Sequence, residues 1–123
     1  MISIKVQREA IVLAERYEYI RFYWQYIDEE TPVVLFYEVD LDNERYARRA
    51  LEVFADRRIM PIVDDGAEFV TEAPVPPIEE IDQEEEFFAE RITPAEFEAV
   101  YNSTVYDGRV CFDVKELKRL PRS

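Results

Sequence analysis

Between Glu18 and Asp40 the chain carries two strand-like runs separated by one short break, and this constrains the fold more than any other stretch. The segment EYIRFYWQY (18–26) alternates Ile20, Phe22 and Trp24 against Arg21, Tyr23 and Gln25, the period of a half-buried strand. DEETP (28–32) interrupts it with turn chemistry, and VVLFYEVD (33–40) resumes with β-branched and aromatic residues. The pattern predicts an antiparallel hairpin. Phe22 and Trp24 are assigned to the core, Tyr23 and Tyr37 to a solvent-facing surface where tyrosine favours contacts.

Downstream punctuation supports an α+β chain. ITPAEFEAVYNS (92–103) reads as a helix with Thr93 as N-cap, Pro94 at the first helical position and Glu96 placed for a capping box. Ile92 and Phe97 have the spacing of a hydrophobic staple. Asp65-Gly66 and Asp107-Gly108 each sit between apolar runs and signal hairpins. Pro61 sends the first arm of the former to a sheet edge. TEAPVPPIEEIDQEEEFF (71–88) reads as a proline-stiffened crossing with a short helical turn near Ile78–Ile81. DVKELKRLPRS (113–123) suggests a short helix with basic Lys115, Lys118, Arg119 and Arg122. The fold expected is one domain over residues 1–123, an antiparallel sheet of about five strands with one main helix packed on one face.

The stretch DNERYARRALEVFADRR (42–58) admits two readings. A helix would place Ala47, Ala50, Leu51 and Phe54 on one stripe behind an Asp42 or Asn43 cap, and propensity favours it. A strand would set Leu51 and Val53 inward, with Arg48 and Glu52 exposed.

Charge and composition narrow the function. The 123 residues hold 28 Asp and Glu against 15 Lys and Arg, a net charge of −13, with no His and one Cys. Such a surplus repels nucleic acid and anionic lipid and draws in basic proteins. Without imidazole and with Cys111 alone, the common nucleophile–base arrangements are unavailable, and no disulfide forms within the chain. A reducing cytoplasm is the expected location. No apolar run reaches the length of a membrane helix, and the first residues lack the order of a signal peptide. DLDNER (40–45) has the opening rhythm of a calcium loop. Arg45 stands where that loop needs glycine and Leu51 where it needs glutamate, so an inter-strand loop is the better reading. No cofactor or metal is expected.

Several segments, taken in order, carry a resemblance: YIRFYW (19–24), PVVLFYEVD (32–40), ERYARRALEVFADRR (44–58), TEAPVPPIEEI (71–81) and ITPAEFEAVY (92–101). Residues 19–101 resemble a small uncharacterised bacterial family, a domain of unknown function. Its members tend to have β-branched residues and an Asp-Gly turn where this chain has Ala50, Leu51 and Asp56-Arg57. The resemblance therefore implies a strand over 45–55, against propensity. Members often carry a His after the Trp-containing strand, where this chain has Tyr26, so a function needing imidazole is not implied here.

The strongest functional signal is PIEEIDQEEEFFAE (77–90), where carboxylates crowd around two phenylalanines. Glu79, Glu80, Asp82, Glu84, Glu85 and Glu86 are the candidate steering charges for a basic protein partner, and Phe87 or Phe88 the candidate anchor. The expectation is a non-enzymatic inhibitor, foremost an immunity protein that occludes the basic active site of a cognate toxin. A phage-type inhibitor mimicking nucleic-acid charge is the alternative, and a small carboxylate-based enzyme the third reading.

Overall fold

The computed structural model describes residues 16–63, 69–110 and 113–119. Its centre is a five-stranded antiparallel sheet: β1 (Tyr17–Trp24), β2 (Val34–Asp40), β3 (Tyr46–Val53), β4 (Ile59–Pro61) and β5 (Phe87–Ile92), in the order β4-β3-β2-β1-β5. Among the described residues three short helices accompany it: α1 (Ile78–Ile81), α2 (Pro94–Tyr101) and α3 (Val114–Arg119). The expected α+β class, the hairpin of β1 with β2 and the edge position of Pro61 all hold.

Residues 46–53 form a strand. Leu51 and Val53 are buried, and Arg48 and Glu52 are half-buried rather than exposed. Propensity loses because β3 is held on both sides, by β2 and β4, and strand pairing outweighs the few tenths of a kcal/mol per residue that alanine and arginine favour helix. The register slips by one residue between Glu38 and Val39, so that Arg49 faces Glu38 while Ala47 faces Val39. Arg48 is the extra residue of this bulge, and its guanidinium bonds the buried Asp40 at 2.6 Å.

Both faces of the sheet are covered. Tyr19, Tyr23, Phe36, Leu51, Val53, Phe88 and Ile92 meet Phe97 of α2 and Val114 and Leu117 of α3 on one side. Ile20, Phe22, Leu35, Val39, Ala47 and Ala89 meet Val75 and Ile81 of the 70–82 crossing on the other. Double coverage explains why β1 buries residues of both phases. Tyr23, expected toward solvent, is buried against Phe88, their rings stacked at 5.9 Å.

The α2 cap forms as its residues require: Thr93 Oγ1 accepts from the amide of Glu96 at 3.1 Å, and Phe97, fully buried, lies 5.2 Å from the Tyr19 ring. Asp40 organises the 40–45 turn, accepting from the Asp42 amide and from Asn43 Nδ2, so its oxygens serve the turn and Arg48. Glu44 and Arg45 take left-handed φ values of 57° and 67° there.

The Asp-Gly expectations fare differently. Asp65-Gly66 lies outside the described residues. β4 pairs with β3 through the 54–58 turn, and the expected return arm is not a strand at Phe69 and Val70, the Val70 amide bonding Ala47 O instead. Asp107-Gly108 makes no hairpin among the described residues, since Val105 bridges to Arg58. Gly108 answers a different need: a Cβ there would come within 2.4 Å of the buried Tyr106 ring.

Candidate functional site: an acidic groove

The crossing reaches the second sheet face through its backbone. Arg45 Nε donates to Val75 O at 2.8 Å, its Nη2 donates to Pro76 O, and the Val75 amide returns a bond to Arg45 O. Pro76 and Pro77 stiffen the entry to α1, which buries Ile81 and turns Glu79 and Glu80 outward. At the far end Lys118 of α3 donates to the carbonyls of Asp82 and Glu84, at 2.8 and 2.7 Å. A wall is thereby pinned at both ends beside the sheet.

Between wall and sheet lies a groove of about 340 Å³, lined by Phe22, Leu35, Tyr37, Pro76, Glu80, Ile81, Glu84 and Phe87. Its floor is apolar and aromatic. Phe22 and Tyr37 meet at 5.0 Å between ring centres, and Phe87 packs on Trp24 at 5.3 Å. Burial, and secondarily the charge of Glu52, raise the Tyr37 phenol above its usual range, so it stays neutral.

The eight residues singled out in the sequence do not act alike. Glu79, Glu80, Glu84, Glu85 and Glu86 are exposed along the wall. Asp82 is half-buried and its carboxylate accepts from the Ala89 amide at 2.9 Å, which fastens the wall to β5. Phe88 is 5% exposed and belongs to the opposite core. Of the two phenylalanines, Phe87 is the one that lines the groove. The register of β5 on β1, with Phe88 opposite Tyr23 and Phe87 opposite Trp24, sends the two rings to opposite faces.

The electrostatic contrast with the sheet is sharp. In and around the sheet, these five acids are matched: Glu18 with Arg45 and Arg91, Glu38 with Arg49, Asp40 with Arg48, Glu90 with Arg21, and Glu98 of α2 with Arg49. Burial alone would raise Glu18 and Asp40, but the hydrogen bonds and charge of Arg45 and Arg91 at Glu18, and of Arg48 together with the Asn43 and Asp42 donors at Asp40, hold both carboxyls below the usual range. Glu80 and Glu84, by comparison, have no ion-pair partner among the described residues.

One feature escaped the sequence reading. Tyr26 and Ile27 stand 42% and 62% exposed at the β1–β2 loop, directly after Gln25, whose amide bonds Glu86 O and whose side chain accepts from the Val114 amide. Asp28 then locks the turn by accepting from the amides of Glu30 and Thr31 and from the Thr31 hydroxyl. The signal was present as an apolar pair running into three acids, but the strand period absorbed Tyr26.

Fold and groove define an open, doubly covered antiparallel sheet whose surplus of charge gathers beside an apolar cleft. Residues 18–106 match the family described as Domain of unknown function (DUF6881), and the chain belongs to that family. No curated protein matches the chain, and no solved structure does. Among the described residues no helix is long and apolar enough to cross a membrane.

Proposed function

We propose that this chain is a non-enzymatic protein-binding inhibitor, acting in the bacterial cytoplasm as an immunity protein that occludes the basic active site of a cognate toxin. The observation that supports this reading is the groove: unmatched carboxylates at its rim stand beside an aromatic floor. Rim charges speed encounter with a basic partner, and the apolar floor supplies the desolvated contact that holds it. That floor favours a protein partner over mimicry of nucleic acid, because a charge mimic needs carboxylates spaced like phosphates and no cleft among them.

The test is growth rescue. The toxic product of the adjoining gene is expressed with the intact chain or with a variant carrying Glu→Gln at 79, 80, 84, 85 and 86. The intact chain restores growth and the variant does so poorly, with slower association that depends less on salt. Equal rescue by both, or no binding of the purified toxin to either, defeats the reading.

A further inference from the structure

We infer that the groove receives an arginine side chain of the partner, its guanidinium laid on the Phe22, Tyr37 and Phe87 rings and its charge met by Glu80 and Glu84. This rests on the inhibitor reading and names the chemistry of its central contact.

The argument begins with what the chain does with its own arginines. Arg49 lies 4.9 Å from the centre of the Phe97 ring and 4.6 Å from that of Tyr101, while paired with Glu98. Arg21 lies 5.3 Å from the Tyr23 ring while paired with Glu90. In both, a guanidinium sits between an aromatic face and a carboxylate. The groove repeats the receiving half of this arrangement: rings below, Glu80 and Glu84 at the rim, and among the described residues no Lys or Arg over Phe22, Tyr37 or Phe87. Glu52, directly across the strand pair from Leu35 in the floor, adds a third negative charge on the same face.

Size and hydration select the occupant. A space of about 340 Å³ is at the small end of ligand pockets and takes one long side chain rather than a run of peptide. Guanidinium is planar, weakly hydrated and stacks on rings, so it loses less on entering an aromatic cleft than an ammonium does. The carboxylates four residues apart can each accept from one edge of the same fork.

Trp24, the chain's one tryptophan, packs on Phe87 and therefore reports on the groove. N-acetyl-arginine amide is titrated into the protein while Trp24 fluorescence and the side-chain NMR signals of Phe22, Tyr37 and Phe87 are followed. N-acetyl-citrulline amide, the same shape without charge, serves as the control. Saturable shifts are expected with arginine, at about tenfold lower concentration than with citrulline. Glu80→Gln/Glu84→Gln, both exposed positions, should erase most of that difference while the far-UV circular dichroism and urea midpoint of the unliganded chain stay unchanged. Equal responses to the two probes, no response at these residues, or an arginine preference unchanged in the double variant overturns the inference. Toxin neutralisation by a chain that fails this titration sinks the arginine contact alone. Failure to bind toxin by a chain that passes it sinks the inhibitor reading alone.

Discussion

Glu38 and Arg49 face each other directly across β2 and β3, and the guanidinium takes both oxygens of the carboxylate, at 2.9 and 2.7 Å. Glu38 is 7% exposed and also accepts from the Tyr19 hydroxyl at 2.8 Å. Through Glu98, Phe97 and Tyr101, the same arginine docks α2 on the sheet. Removing Arg49 strands a buried charge. Arg49→Met should cost about 3 kcal/mol or more in urea melts, whereas Glu38→Leu/Arg49→Met should recover much of it. A single variant no worse than the double would show that the pair carries little coupling.

Thr93 supplies the first turn of α2 with its acceptor. Thr93→Ala is expected to lower stability by about 1 kcal/mol, and Thr93→Ser by a small fraction of that. Equal melts for all three chains would mean water replaces the cap.

Arg57 holds a left-handed φ of 73° in the β3–β4 turn, and its Nη1 donates to Tyr106 O and Gly108 O at 3.0 and 2.6 Å. Strain and tether can be separated. Arg57→Ala loses the tether and keeps the strain; Arg57→Gly loses the tether and sheds the strain. The glycine variant should be more stable than the alanine variant by about 1 kcal/mol. The reverse order would show that the turn changes conformation when its arginine is lost.

Acid should loosen the sheet through its matched carboxylates. Burial opposes ionisation of Asp40 and Glu18, but their combined hydrogen bonds and arginine charges hold both below their usual values, and Glu98 is lowered first by its bond from Arg49. Below the unfolded values near about pH 4 the unfolded chain binds more protons than the folded one. Their contribution is therefore complete above about pH 5 and fades as pH falls through the lower folded values. In urea melts taken across that window, Asp40→Asn should show a shallower acid limb than the parent. Identical slopes would place the acid sensitivity elsewhere.

What could be read in the sequence follows from how local each signal is. The α2 cap needs four adjacent residues, and the β1–β2 hairpin needs only alternation, so both were legible. β3 was legible only through the family resemblance, because its partner strands and the Arg48 bulge override the preferences of its own alanines and arginines. Phe87 and Phe88 are chemically identical in the sequence; one belongs to the groove and the other to the opposite core only because of the β5 register. Asp107-Gly108 misled for a related reason: that glycine makes room for the Tyr106 ring, a neighbour that pattern alone does not reveal. The acidic row was legible as charge, but the cleft beside it required Phe22, Leu35 and Tyr37 from strands fifty residues away in sequence (roughly).

The wall that carries the acidic row is seated by the buried side chains of Val75 and Ile81, and its polar grips fall on main-chain atoms: Arg45 holds the carbonyls of Val75 and Pro76, and Lys118 those of Asp82 and Glu84. Of the six acids between 79 and 86, Asp82 commits its side chain to the fold, accepting from the Ala89 amide. Anchorage and readout are thus written on different atoms. The side chains at 79, 80, 84, 85 and 86 can be exchanged for others while the grips remain, so the charge beside the groove can be rewritten in five letters with the sheet behind it left as it is.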